Sequence, residues 1–150
     1  MKLKQLSLLI LILSSISLKA QSNMPAILSM RERAAVVDNW LKIRLETVIP
    51  DLMRREKIDM WLIIAREYNE DPVIKTMLPS KWLRARRWTI LVLFDKGQVE
   101  GVERLAVARY DIGEFFKKSW DKEKQPDQWQ RLVEIIKERN PSYALNCREL

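Results

Sequence analysis

The alternation of apolar and polar positions predicts a first helix that begins near Met30. Ser29 and Glu32 have the spacing of a capping box, and the apolar residues that follow recur at steps of three and four. The predicted apolar stripe consists of Ala34, Val37, Leu41, Leu45, Val48 and Leu52. Pro50 interrupts this pattern. Because proline donates no backbone hydrogen bond, we expect either a kink or a new helix over residues 50–57.

Two compact apolar runs, residues 60–64 and 88–94, predict strands. The first run lacks polar alternation, so it should lie inside a sheet with both faces buried. Between the runs we expect a polar turn at 68–72 and a short helix at 73–77, before a break at Pro79. After the second run, a tight turn at 95–98 should lead to another strand within 99–109, which forms a hairpin and lies near the sheet edge.

The last third of the chain predicts an irregular or briefly helical segment at 113–124, then a helix that opens at Pro126 and Asp127. The apolar positions of this helix are Trp129, Leu132, Val133 and Ile136. Asn140 and Pro141 end it, and residues 143–147 read as a final strand. A strand, a helix and a further strand imply a crossover, so the fold class is α/β with a mixed sheet flanked by helices.

The amino terminus has the pattern of a secretory signal peptide over residues 1–20. Lys2 and Lys4 precede an apolar run at 6–16, and Lys19-Ala20-Gln21 supplies a cleavage point after Ala20. The run is shorter than the roughly 20 residues that span a bilayer, so no stable membrane anchor is expected. The sequence therefore predicts a secreted or periplasmic protein, with a linker at 21–29 and a domain at 30–150.

Composition excludes several kinds of catalytic site. The chain contains no histidine and one cysteine, which rules out an imidazole or thiolate zinc site and a Ser-His-Asp triad. Its three glycines do not form a dinucleotide or P-loop motif. Cys147 has no partner for a disulfide within the chain and is interpreted as a buried strand residue. Glu67, Glu70 and Asp71 are interpreted as a solvated loop in preference to a cation site, because they lack a recognised ligand spacing.

The most distinctive polar feature is a basic and aromatic segment between Asp71 and Asp95, which contains no acidic residue. Its cations and tryptophans are Lys75, Lys81, Trp82, Arg84, Arg86, Arg87 and Trp88. Three interpretations stay open: an exposed loop whose tryptophans pack inward, recognition of carboxylates or a protein partner by arginine, and stacking of single-stranded nucleic acid. Nucleic acid is the least favoured, because export removes access to it and loss of the leader lowers the formal net charge from +7 to +4. The tryptophans at 40, 61 and 129 are expected in the core.

The chain resembles the amino-terminal domain of exported Xaa-Pro aminopeptidase-like proteins, in the pita-bread group with prolidase and creatinase. The resemblance rests on the initial helix, the Asp59-Met60-Trp61 strand, the Arg84-Ala85-Arg86-Arg87 loop and the strand from Trp88. It covers about residues 30–147. It implies a mixed sheet similar in outline to ribonuclease H, followed by a separate carboxyl-terminal catalytic domain that holds two divalent metal ions.

This resemblance predicts that the chain is a non-catalytic domain, or a fragment, of a metallopeptidase. No cofactor ligand is assigned to it, and whether it is enzymatic by itself is left open. The candidate interface or substrate-entrance residues are Tyr68, Trp82, Arg84, Arg86 and Arg87. The implied partners are the catalytic domain, a second subunit in a homo-oligomer and a peptide substrate. The alternative is a stand-alone binding or assembly module without peptidase activity.

Overall fold

The computed structural model describes residues 27–146, so the predicted leader at 1–20 and Cys147 lie outside the described residues. The helices are α1 (Met30–Ile43), α2 (Ile49–Arg55), α3 (Pro72–Met77) and α4 (Gln128–Arg139), and a π-helical turn (Arg44–Val48) joins α1 to α2. The strands are β1 (Met60–Arg66), β2 (Trp88–Asp95), β3 (Val102–Ala106), β4 (Lys117–Lys118) and β5 (Ala144–Asn146). No helix within residues 27–146 is long and apolar enough to cross a membrane.

The five strands form one mixed sheet in the order β4-β3-β2-β1-β5. The β1, β2 and β3 strands are antiparallel neighbours, whereas β5 runs parallel to β1 and β4 runs parallel to β3. Because β5 reaches β1 through α4, the chain makes the crossover that parallel pairing requires. The predicted α/β class with a mixed sheet flanked by helices is confirmed.

Both faces of the sheet are buried. Along β1, Trp61 and Ile63 belong to one hydrophobic cluster, while Met60 and Leu62 belong to the other. This division follows from the alternation of side chains in a strand. The helical residues of the first cluster are Leu41, Leu45, Ile49, Met53, Ile74 and Met77, and those of the second are Leu132 and Ile135. The prediction that the first apolar run is an interior strand buried on both sides is confirmed.

The apolar stripe of the first helix differs from the prediction at Val37, which is 41% exposed, and again after Leu45. Ile49 and Met53 are buried, whereas Val48 is 54% exposed. The π-helical turn causes the difference after Leu45, because it contains more residues than an α-helical turn and rotates the following residues about the helix axis. It ends two residues before Pro50, and a proline crowds the carbonyl four residues earlier in a regular α-helix. The expected interruption at this proline is therefore a wide turn followed by α2.

Two of the three tryptophans expected in the core are largely at the surface. Trp61 is 8% exposed, but Trp40 is 61% and Trp129 is 41% exposed. Trp40 precedes the buried Leu41 by one residue, so it points about 100° away from the sheet-facing stripe. Trp129 lies edge-on to Trp88, with ring centroids 5.3 Å apart.

On α4 the buried residues are Leu132 and Ile135. The prediction that Val133 belongs to the core face is wrong, since Val133 is 40% exposed.

The hairpin connection is longer than predicted. Lys96 N–H donates to the Gly101 carbonyl at 2.9 Å, and Gly101 N–H donates to the Gly97 carbonyl at 2.8 Å. Both glycines have positive φ, a conformation in which a Cβ atom would be strained. As a result β3 runs from Val102 to Ala106, inside the predicted range of 99–109. The 113–124 segment contains no helix and instead contributes β4 to the sheet.

Two ion pairs attach helices to this hairpin. Arg54 of α2 donates two hydrogen bonds to the Asp95 carboxylate, each at 2.9 Å, and Arg139 of α4 donates to Glu103 at 2.6 Å. The Arg54 hydrogen bond lowers the pKa of Asp95 below its usual 3.8, and the Arg139 hydrogen bond lowers the pKa of Glu103 below its usual 4.5. Helices on opposite faces of the sheet thus contact one hairpin through charged groups.

The shifted helical stripe predicts different costs for two neighbouring truncations. Ile49→Ala leaves a cavity in the first cluster and should lower the free energy of unfolding by about 2–5 kcal/mol. Val48→Ala removes an exposed side chain and should change it by less than about 0.5 kcal/mol. Chemical denaturation of both variants measures the difference. An equal or larger loss in Val48→Ala would contradict the register described here.

The Glu103 ion pair predicts an acid-dependent loss of stability. Because the folded state lowers the pKa of this carboxyl, the stabilisation is present above the usual value of 4.5 and is lost as the pH falls below it. Glu103→Gln should therefore weaken the dependence of the unfolding free energy on pH between about 5 and 3. Glu100→Gln, in the same hairpin, is the matched control and should retain the wild-type dependence. Identical pH profiles for all three proteins would refute the contribution of Glu103.

Candidate functional site

The basic segment predicted from the sequence lies between α3 and β2, beside the end of β1. Arg66 pairs with Trp88 in the sheet, so Glu67 and Arg87 lie opposite each other directly beyond the paired strands. Glu67 N–H donates to the Arg87 carbonyl at 2.7 Å. The strand pairing therefore determines where the arginine segment leaves the sheet.

The backbone of this segment is held by side chains. Three consecutive N–H groups donate to side-chain oxygens: Ala85 to Glu70 Oε1 at 2.8 Å, Arg86 to Thr89 Oγ1 at 3.0 Å and Arg87 to Glu67 Oε2 at 3.3 Å. Ala85 is fully buried and Thr89 is 3% exposed, which fixes the segment to the core between its exposed arginines. The loop therefore presents its charged side chains from an ordered backbone.

The arginine side chains of this segment are not neutralised. Within residues 27–146, no ion pair involves Arg84, Arg86, Arg87 or Arg109. The guanidinium carbon of Arg86 lies 5.7 Å from the centroid of the Trp82 ring, within the range of a cation–π contact. Such a contact orients the cation without cancelling its charge.

Two open grooves border these arginines. The Trp82 groove has a volume of about 630 Å³ and is lined by Trp82, Arg84, Arg86 and Tyr110, among others. The Trp88 groove has a volume of about 620 Å³ and also includes Arg87, Trp88, Arg109 and Trp120. Arg84, Arg86 and Tyr110 line both. We call the two together the basic groove.

Four of the five candidate residues line the basic groove: Trp82, Arg84, Arg86 and Arg87. Tyr68 lines neither part of it. It is 87% exposed in the turn after β1, next to Glu67, and has a left-handed backbone with φ +67°. Arg87 also has positive φ, at +49°. Such conformations are uncommon for residues other than glycine, asparagine and aspartate.

Several groove residues were missed from the sequence. Arg109 and Tyr110 follow β3, and Trp120 and Lys122 precede α4, so the chain brings them to the groove from distant positions. The sequence pattern that could have identified them is weak. It is the adjacency of Arg109 and Tyr110, which resembles that of Arg87 and Trp88. Glu67 and Glu70 were interpreted as a solvated loop, whereas the structure shows that they accept hydrogen bonds from the arginine segment.

The groove is suited to binding anions. Guanidinium groups stay protonated and offer paired N–H donors that match carboxylate and phosphate oxygens.

No group of three or more cysteine, aspartate or glutamate side chains that could hold a metal ion occurs within residues 27–146. Comparisons with models of protein families, with curated proteins and with solved structures found no match.

The hydrogen bond from Ala85 to Glu70 generates a prediction about the order of the loop. Glu70→Ala removes the acceptor, so the amide protons of residues 84–87 should exchange with solvent faster while those of β1 stay protected. Hydrogen exchange measured by NMR checks this. Glu56→Ala removes an exposed carboxylate that precedes β1 in the chain, and it should leave the exchange of the loop amides unchanged. Unaltered exchange in Glu70→Ala would show that this contact does not order the segment.

Proposed function

We propose that this chain is a binding domain whose basic groove contacts a partner molecule. One observation carries the proposal: three consecutive backbone N–H groups of the arginine segment are fixed by side chains, while Arg84, Arg86 and Arg87 take part in no ion pair of the described residues. Arginine and tryptophan are both enriched in protein interaction surfaces. The charge of these three arginines is therefore available to a ligand.

Within this proposal, the chain serves as the non-catalytic amino-terminal domain of an exported, metal-dependent Xaa-Pro aminopeptidase-like peptidase. The mixed sheet flanked by helices agrees with the architecture that the resemblance implies. Peptide hydrolysis then belongs to a separate catalytic domain, which supplies both divalent metal ions. The arginine segment faces that domain or a second subunit and shapes the substrate entrance.

The Asp59-Met60-Trp61 segment, on which the resemblance partly rests, also makes contacts that stabilise this fold. The Asp59 carboxylate accepts hydrogen bonds from Ser142 N–H at 2.8 Å and Tyr143 N–H at 3.0 Å. It thereby attaches the start of β5 to the start of β1. The aspartate that contributes to the resemblance thus has a structural role in this fold.

A second candidate function is a stand-alone binding or assembly module. The two hydrophobic clusters favour it, because each is covered by helices of the chain itself and contains side chains without solvent exposure, such as Ile63 and Ile135. A core of this kind can support an independently folded domain. This candidate has no peptidase activity and shares the basic groove with the first.

The first candidate predicts a joint loss of assembly and turnover when the arginines are removed. In the protein that carries its catalytic half, replacing Arg84, Arg86 and Arg87 together by alanine should lower kcat/KM for a Xaa-Pro peptide by about tenfold or shift the oligomeric mass. Light scattering and peptidase assays measure both. The matched control replaces Arg31, Arg33 and Arg55, which are also exposed, and should behave as wild type.

Unchanged assembly together with unchanged peptide turnover in the triple variant would refute this role for the arginine segment. The coding frame beyond Leu150 separates the two candidates. An in-frame continuation that encodes Asp, His and Glu metal ligands supports the peptidase domain. A stop codon at that point supports the stand-alone module.

A further inference from the structure

The guanidinium group of Arg86 takes part in no ion pair within residues 27–146. It lies over Trp82, whose ring is in turn 5.4 Å from that of Tyr110. A guanidinium that stacks on a ring uses its flat face and keeps its edge for hydrogen bonds, and that edge matches the two oxygens of a carboxylate. Arg84 lines the same groove. This wall can therefore bind carboxylates by paired hydrogen bonds.

The two parts of the basic groove adjoin each other, because they share lining residues. They have Arg84, Arg86 and Tyr110 in common, and each part alone has the volume of a small-molecule pocket. Additional cations lie along both parts, with Lys81 in the Trp82 groove and Arg109 in the Trp88 groove. A ligand with several separated negative charges can contact all of these positions at once.

The walls of the groove favour a peptide over a nucleic acid. Asp111 lines the Trp82 groove and Glu67 lines the Trp88 groove, so acceptors are interspersed with the cations. The backbone of a nucleic acid carries a negative charge at every nucleotide and cannot avoid these carboxylates, whereas a peptide can place uncharged residues opposite them. A peptide supplies N–H donors between its acidic side chains. In addition, Leu83, which is 89% exposed, offers an apolar contact at the rim.

We propose that the basic groove binds an extended acidic peptide segment, whose carboxylates are held by Arg84 and Arg86 and, farther along, by Arg109. The inference rests on the binding function proposed above and adds the chemistry of the partner. The segment lies across the shared residues, with Trp82 in one part of the groove and Trp88 and Trp120 in the other.

The experiment measures binding of labelled synthetic ligands to the 150-residue chain by fluorescence anisotropy. The probes are a peptide of about ten residues with glutamate at alternate positions, the same peptide with glutamine in place of glutamate, and oligothymidylate of similar extended length. At about 0.15 M salt, the glutamate peptide should bind at least about tenfold more tightly than either of the others. Equal binding of the glutamine peptide would overturn the proposal, and so would tighter binding of the oligonucleotide.

Substitutions in the groove test whether the peptide binds there. Replacing Arg84 and Arg86 together by glutamine should weaken binding of the glutamate peptide by about tenfold or more. The control replaces Arg31 of α1 and Arg55 of α2 by glutamine, which removes the same charge away from the groove and should change the affinity less than about twofold. Equal weakening in both double variants would show that only net charge matters and would overturn the proposal.

If the groove variant does not unfold cooperatively, hydrogen exchange on the wild-type chain decides. The glutamate peptide should then protect the amides of residues 84–87, and an absence of protection there would overturn the proposal. Because these assays contain no catalytic half, a negative result removes the acidic-peptide ligand without bearing on assembly with a peptidase domain. The turnover assay of the triple alanine variant tests that separate point.

Discussion

The antiparallel pairing of β1 with β2 is the constraint on which the rest of the structure depends. Seven residue pairs connect the strands from Met60 and Phe94 to Arg66 and Trp88. A shift by one residue would exchange the side chains of the two faces, and both faces carry a buried cluster, so this register is strongly specified. Its last pair also brings Glu67 to Arg87. The packing of the core and the geometry of the arginine segment thus follow from one alignment.

Much of the fold was predictable because the apolar runs in the two central strands are unusually clear. The π-helical turn was not, since its signal is a spacing of four residues between Leu41, Leu45, Ile49 and Met53 that an ordinary periodicity also tolerates. The placement of tryptophan was misjudged for a related reason. Size and apolarity favour burial, but position on the helix determines which side chain faces the sheet.

The residue types of the candidate site could be predicted from the sequence, but the groove that they border could not. The run from Trp82 to Arg87 is visible in the sequence, and four of the five candidate residues border the groove. The opposite wall comes from the segments after β3 and before α4, and its assembly requires the strand order. The role of Glu70 also depends on a contact between residues 15 positions apart. Local patterns contain no information about such contacts.

The two lysines that form β4 have a consequence for the behaviour of the protein in solution. They are both exposed and occupy one margin of the sheet, where unpaired backbone groups would otherwise be open to a strand from another molecule. Bringing two such margins together juxtaposes like charges, and the strand is too short to offer more than a few hydrogen bonds. Aggregation through this side of the domain is consequently disfavoured.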